Sequence, residues 1–223
     1  MKAKTRQRKK NGKSNLRDKL HEFKREQILE AAGELFYQRG YHSTTVDNIA
    51  ERLSVTKPFI YYHFENKLDI LQCLLERTIS ASLHIFDDID VEHGQPREAL
   101  DELIRRFTFN VIENQTLIAM FWRDEKELPI RNRDNIRKLK KEFDTRLSRV
   151  LTRGVESGEF EIPDIEIASL AIAGMITWTY TWYRQDRRLT PEMIAEHLTT
   201  MVLNMVDRTK TRQAARKKLV RAK

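Results

Sequence analysis

Lys57, Pro58, Phe59, Tyr61, Tyr62 and His63 fall within seven consecutive positions, with Thr44, Thr45 and Lys67 flanking them. An ammonium, two phenols, an imidazole and two hydroxyls suit anionic oxygens and base edges rather than bond cleavage. Lys57 can reach a guanine edge or a phosphate. Pro58 and Phe59 carry no side-chain donor and offer only apolar contact, such as to a thymine methyl. The hydroxyls of Tyr61 and Tyr62, a ring nitrogen of His63, Lys67 and the threonine pair fit phosphate contacts that hold a helix in register on a duplex without reading its sequence. The alternative for either tyrosine is packing on the preceding helix.

No other chemistry competes with this group. The six histidines form neither an HExxH pattern nor a Cys-His cluster, and His63 has no second ligand three or four positions on. There is no nucleophile–base pair and no Gly-rich phosphate loop. Asp87-Asp88 sits in a linker and reads as solvated charge. We therefore expect no catalytic residue, no metal, no cofactor and no enzyme activity. Cys73, the one cysteine, rules out an internal disulfide. Its setting, DILQCLLERTI, suits a buried small hydrophobe, and one unpaired thiol fits a reducing cytoplasm.

The residues around the group must place it on a helix. Seven Gly and five Pro among 223 residues, with almost no strand signal, make the chain all-α. Ile28, Leu29, Ala32, Leu35 and Phe36 form one apolar stripe on a helix from Lys24 that Gly40 ends. Thr44 or Thr45 caps a short second helix, with Asp47 and Asn48 favourable near its positive end and Ile49, Ala50 and Leu53 facing the first. Ser54-Val55 makes a tight turn. Thr56 caps a third helix with Pro58 in its first turn and Ile60 and Phe64 pointing inward. Thr44–Phe64 is thus a helix-turn-helix whose second helix can enter the major groove of double-stranded DNA. Asn66 caps the helix that follows.

Beyond it lie helices at Arg97–Asn114, Thr116–Glu127, Asn132–Ser157, Asp164–Gln185 and from Thr190 to Val206. Asp164–Gln185 is apolar on most sides, and the last helix carries a stripe at Ile194, Leu198, Met201 and Met205. Such a hairpin has more apolar face than one short domain can cover, which predicts a homodimer built on a four-helix interface. Two identical heads would then read a palindrome. Phe107, Phe109, Phe121, Trp122, Phe143, Met175, Trp178 and Tyr180 form an aromatic-rich set that reads as core or as a pocket.

Charge divides the chain into three. Residues 1–25 carry net +9, residues 208–223 net +8, and the middle net −9, for +8 overall. The two basic ends read as polyanion-binding arms or as solvated tails, and residues 1–15 have too little apolar surface to order when free. No apolar h-region follows the basic start, so no signal peptide is expected. The longest uncharged run, Ile167–Tyr183, is too short and polar for a membrane span. A cytoplasmic protein with no membrane partner is expected.

The run from Ile28 to Ile70, with AAGELFYQRGYHSTTVDNIAERLSVTKPFIYYHFENKLDI, resembles the DNA-binding domain of TetR-family transcriptional regulators. Leu-Phe before Gly-Tyr, the double threonine, Ile49-Ala50 and Tyr-Tyr-His-Phe before Asn66-Lys67 carry the likeness. The chain departs from many members at Pro58-Phe59, where they have Gly-Thr. The resemblance implies an all-helical, dimeric, cytoplasmic repressor, released from its operator by a small-molecule effector. It implies an effector pocket around Phe107, Val111, Phe121, Trp122, Phe143, Met175, Trp178 and Tyr180. WTYTWYRQDRRLTPEMIAEHL is similar to a branch that senses acyl-CoA thioesters, fatty acids or steroid breakdown products. Arg105, Arg106, Arg123, Arg184, Arg187 and Arg188 either pair with such an anion or form a solvated face. The implied organisation is a basic arm (1–21), a DNA-binding domain (22–82), an effector-binding and dimerisation domain (83–207) and a basic tail (208–223). A ligand-independent dimeric DNA-binding or architectural factor is the alternative.

Overall fold

A computed structural model describes the backbone from Lys2 to Asp207 and the side chains from Arg17 to Asp207. The basic tail at 208–223 lies outside these residues, as do the side chains of residues 1–16. Ten α-helices follow one another in the described part: α1 (Lys2–Arg39), α2 (Val46–Arg52), α3 (Lys57–His63), α4 (Lys67–His84), α5 (Pro96–Glu113), α6 (Gln115–Asp124), α7 (Arg133–Glu156), α8 (Ile165–Thr177), α9 (Thr179–Trp182) and α10 (Pro191–Val206). The chain divides into two compact units: one reaches Leu75 and includes Trp122–Leu128, and the other holds Glu76–Phe121 and the chain from Pro129. The division falls inside α4, ahead of the 82/83 boundary expected from sequence.

The first unit is built as the spacing predicts. Ile28, Ala32, Leu35 and Phe36 of α1 are buried with Ile49 and Ala50 of α2, Ile60 and Phe64 at α3, and Ile70, Leu71, Leu74 and Leu75 of α4. Gly40 ends α1 in the left-handed region at φ 83°, as a residue without Cβ allows. Asn66 caps α4, its carboxamide oxygen accepting from the Asp69 amide at 3.0 Å. The backbone of α1 is helical from Lys2, where the sequence suggests an unstructured arm and a helix beginning at Lys24. The arm holds a single glycine and no proline, and Lys, Arg and Gln are good helix formers even without an apolar face.

In the second unit α5 packs along α10, with α7 and α8 completing the core. Leu103, Phe107, Val111, Leu147, Val150, Ile172, Ile176, Leu198 and Val202 belong to that core. The expected helix 164–185 is broken. Gln115 Nε2 donates to the carbonyls of Tyr180 and Tyr183 at 2.7 and 3.1 Å, capturing acceptors that a continuing helix would use. The stripe expected on the last helix also splits. Ile194, Leu198, Val202 and Val206 face the core, while Met201 and Met205 face outward.

Candidate nucleic-acid interface

Two caps and a turn fix the direction of α3. Thr45 and Asn48 form a reciprocal capping box at the start of α2: the Thr45 hydroxyl oxygen accepts from the Asn48 amide at 3.2 Å, and Asn48 Oδ1 accepts from the Thr45 amide at 3.0 Å. Ser54 then turns the chain at φ 54°, a left-handed conformation for a residue with a Cβ. Thr56 occupies the cap position of α3, but its side chain makes no capping hydrogen bond. Pro58 fills the first turn, removing one orphan donor.

Of the nine residues expected to meet DNA, six present surface. Thr45, Lys57, Pro58, Tyr61 and Tyr62 are exposed, Tyr62 to 75% of its maximum, and Phe59 is half-buried. Neither tyrosine is buried against α1, although Tyr62 meets the His21 ring edge-on at 5.8 Å. Thr45 keeps its hydroxyl proton free of the capping box. Lys57 Nζ lies 2.7 Å from Asp47 Oδ2, and that carboxylate raises the ammonium above the usual lysine range.

The other three belong to the framework. Thr44 is 0% exposed, its hydroxyl donating to the carbonyls of Gly40 and Leu35 at 2.9 and 3.2 Å. His63 is 7% exposed, its ring packed on those of His21, Phe59 and Tyr62 with centroids 4.5, 5.0 and 5.0 Å away. Burial, then the neighbouring His21, Arg25 and Lys24, hold its imidazole below the usual histidine range. Lys67 Nζ donates to Tyr41 O at 2.8 Å and Thr44 O at 2.7 Å and lies 4.2 Å from the Tyr41 ring centre. Burial pulls its ammonium below the usual lysine range. Residue type alone gives these three to phosphates; carbonyls at the end of α1 take Thr44 instead, and those of the turn after it take Lys67.

Two framework arginines carry no sequence signal of their own. Arg25 donates to the His63 carbonyl at the end of α3, its guanidinium lies 4.1 Å from the Phe64 ring centre, and its Nη2 reaches Cys73 Sγ at 3.6 Å. It ties α1, α3 and α4 together, and it leaves Cys73 a half-buried polar contact rather than a buried hydrophobe. Arg123, one of the arginines offered above to an anionic ligand, donates to Phe36 O and Tyr37 O at 2.6 and 3.2 Å, while Asp124 holds its other edge at 2.8 Å. A pairing between residues 86 and 87 positions apart has no local pattern.

The expected effector residues separate in the same way. Phe107, Val111 and Phe143 lie in the core of the second unit with Met175 and Tyr180 packed against it, and the Phe143 ring lies 4.9 Å from Phe107 and 5.4 Å from Phe86. Phe121 is buried outside that cluster. Trp122 and Trp178 are 53% and 62% exposed, so neither lines an interior. Arg105 and Arg106 are engaged by Asp101, Glu102 and Asp88. Arg184 donates to Thr181 O and Tyr183 O, and Arg187 and Arg188 are exposed. Three hydroxyls in this unit, Ser169, Thr179 and Thr199, are buried without a hydrogen-bond partner. Among the described residues no group of three or more His, Cys, Asp or Glu is placed to hold a metal ion, and no helix is long and apolar enough to cross a membrane.

Residues 28–74 match the model of the bacterial regulatory proteins of the tetR family, and residues 93–206 match the tetracyclin repressor-like C-terminal domain. The fatty acid metabolism regulator protein of Bacillus subtilis (strain 168) is 28% identical over 164 residues, 73% of this chain and 84% of that one. The HTH-type transcriptional repressor KstR2 of Mycobacterium tuberculosis (strain ATCC 25618 / H37Rv) is 27% identical over 184 residues, 81% of this chain and 91% of that one. Among solved structures, the TetR-family regulator PfmR from Thermus thermophilus superposes with a TM-score of 0.73 at 28% identity, covering 79% of this chain and 97% of that one. The second matched segment alone spans half the chain, and the described helices carry the two-domain all-α fold of these regulators: the chain belongs to the TetR family of DNA-binding transcriptional regulators.

Proposed function

We propose that the chain is a ligand-responsive repressor that binds a palindromic operator as a homodimer and is released by a small hydrophobic effector. The apolar face left open on α8 and α10 carries this reading. Ile167, Leu170, Gly174 and Trp178 recur at helical spacing on α8 and its end, and Met201 and Met205 do so on α10; these five large side chains are among the most exposed hydrophobics of the chain. An added Cβ at Gly174 would meet nothing within 4 Å. A second copy packing α8 and α10 in a four-helix arrangement covers this face and fixes two α3 helices at one separation.

The effector reading rests on the second unit. A buried hydroxyl without a partner costs about 1–3 kcal/mol, so Ser169, Thr179 and Thr199 favour a bound molecule that supplies acceptors or donors beside an apolar body. Phe107, Val111, Phe143, Met175 and Tyr180 are the side chains suited to that body. A relative bearing the name of a fatty acid metabolism regulator makes an acyl-CoA or related catabolite the first class to test. Thr45, Lys57, Pro58, Phe59, Tyr61 and Tyr62 are the DNA-facing set, and Thr44, His63 and Lys67 hold that set in place.

The test is a gel shift on the chain's own promoter with and without long-chain acyl-CoAs. A specific shift that acyl-CoA abolishes supports the repressor. A specific shift that no acyl-CoA or steroid thioester alters supports the ligand-independent dimeric factor instead. Met201→Glu, which places a charge on the open face, is expected to yield a monomer in sedimentation and to lose the shift.

A further inference from the structure

Position alone gives Asp47 the task of favouring the start of α2, yet its carboxylate grips Lys57, the cation at the exposed start of α3. The pair is 2.7 Å long and exposed on both sides, the side chains retaining 46% and 63% of their surface for Lys57 and Asp47. Asp47 is thus an acidic group set among the residues read as facing a polyanion.

We propose that Asp47 is a specificity-determining residue: it aims the Lys57 ammonium at a base edge and penalises every duplex that offers Lys57 only a phosphate. The inference rests on Lys57 as a DNA contact. A lysine ammonium has three donors. With one given to Asp47, two remain for the O6 and N7 acceptors of a guanine. The carboxylate also restricts a side chain that otherwise moves on four flexible carbons, so less ordering remains for the moment of binding. On a duplex without that guanine, Asp47 keeps Lys57 from the phosphates, since leaving the pair would set an uncompensated carboxylate against them. Arg52 cannot relieve it, because its guanidinium pairs with Glu34 at 2.9 Å.

The substitution that isolates the effect is Asp47→Asn. It keeps the shape of the side chain and removes the charge, and it leaves the Thr45–Asn48 capping box in place. The probes are a duplex selected by the wild-type full chain from a random-sequence library and a scrambled duplex of the same composition. For Asp47→Asn, affinity for the scrambled duplex should rise about five- to tenfold, while affinity for the selected duplex changes less than about twofold. With Lys57 released to a phosphate, the slope of log K against log salt on the scrambled duplex should steepen by about 0.9. In a Lys57→Ala background Asp47→Asn should leave that slope where it was.

Equal gains on both duplexes would overturn the inference, since Asp47 would then be a general repulsive charge. Unchanged affinity on both would overturn it too. If Lys57→Ala by itself alters neither affinity, the contact on which the inference rests is wrong. If the library yields no preferred duplex, the operator reading itself fails. Matching unfolding midpoints for wild type and Asp47→Asn exclude a folding defect as the source of any change.

Discussion

Replacing Lys67 with methionine separates two roles that residue type cannot tell apart. As a phosphate contact, Lys67 would contribute one released counterion, and its loss would flatten the salt dependence of operator binding by about 0.9 in log–log slope. In the structure its ammonium instead closes the turn between α1 and α2 on Tyr41 O and Thr44 O at 2.8 and 2.7 Å. Hydrogen bonds from a charged donor contribute about 1.5–3 kcal/mol each. Two such bonds from a half-buried side chain, discounted by half for solvent, amount to about 1.5–3 kcal/mol of local stability. Methionine keeps an unbranched stem of similar length and removes the ammonium that donates to the turn and lies over the Tyr41 ring. Amide exchange in α2 and α3 should therefore accelerate about 12- to 150-fold, the factor that about 1.5–3 kcal/mol sets for local opening. Operator affinity should fall as well, because α3 loses its seat, while the salt slope stays within about 0.2 of wild type. Unchanged exchange together with a slope flatter by about 0.9 would refute the positioning role and restore Lys67 to the phosphate contacts.

Three further outcomes follow from single positions. An alanine Cβ at Gly154 would lie 1.9 Å from Phe160 Cδ2, inside a ring that is itself buried. Gly154→Ala should cost about 1–3 kcal/mol in urea unfolding despite the better helix propensity of alanine, and a neutral result would show that Phe160 can move aside. Ser54 holds φ 54°, so Ser54→Gly should raise stability by up to about 1 kcal/mol and leave operator affinity unchanged; a lower urea midpoint would contradict the strain assigned to this turn. His63 is held neutral by burial, followed by its cationic neighbours, so its folded-state pKa lies below the unfolded value of about 6.5. The unfolded chain then binds more protons just below that pH. The contribution is complete above about pH 6.5 and is lost as pH falls through the window beneath it. Urea midpoints at pH 7.5 and 5.5 should show a drop that shrinks in His63→Gln; an undiminished drop would assign it to other groups.

The fold was legible where one side chain answers to one local rule. Apolar spacing located α1, α2, α3 and α10, and Gly40, Thr45, Asn66, Asp164 and Thr190 marked ends that the backbone uses. The helix-turn-helix needed only 21 consecutive residues, since its core, caps and turn are all made within that stretch and the helix before it. The stop at Trp182, short of the expected Gln185, was not legible, because the amide that captures the carbonyls of Tyr180 and Tyr183 comes from Gln115, 65 and 68 positions away.

The same division runs through the candidate site. Sequence alone determined which residue types stand at the candidate surface around α3, since position in a short helix and donor chemistry are local properties. Only the tertiary structure decided which of them are free to use it. Thr44 and Lys67 are drawn to carbonyls at the end of α1 and in the turn after it, because an unpaired buried polar group costs more than a surface contact returns, whereas His63 is sealed beneath His21, Phe59 and Tyr62 with its Nδ1 left without a partner. Trp122 and Trp178 face outward for the complementary reason: a core accepts only side chains whose direction as well as type fits it, and direction is set by packing between helices far apart in sequence.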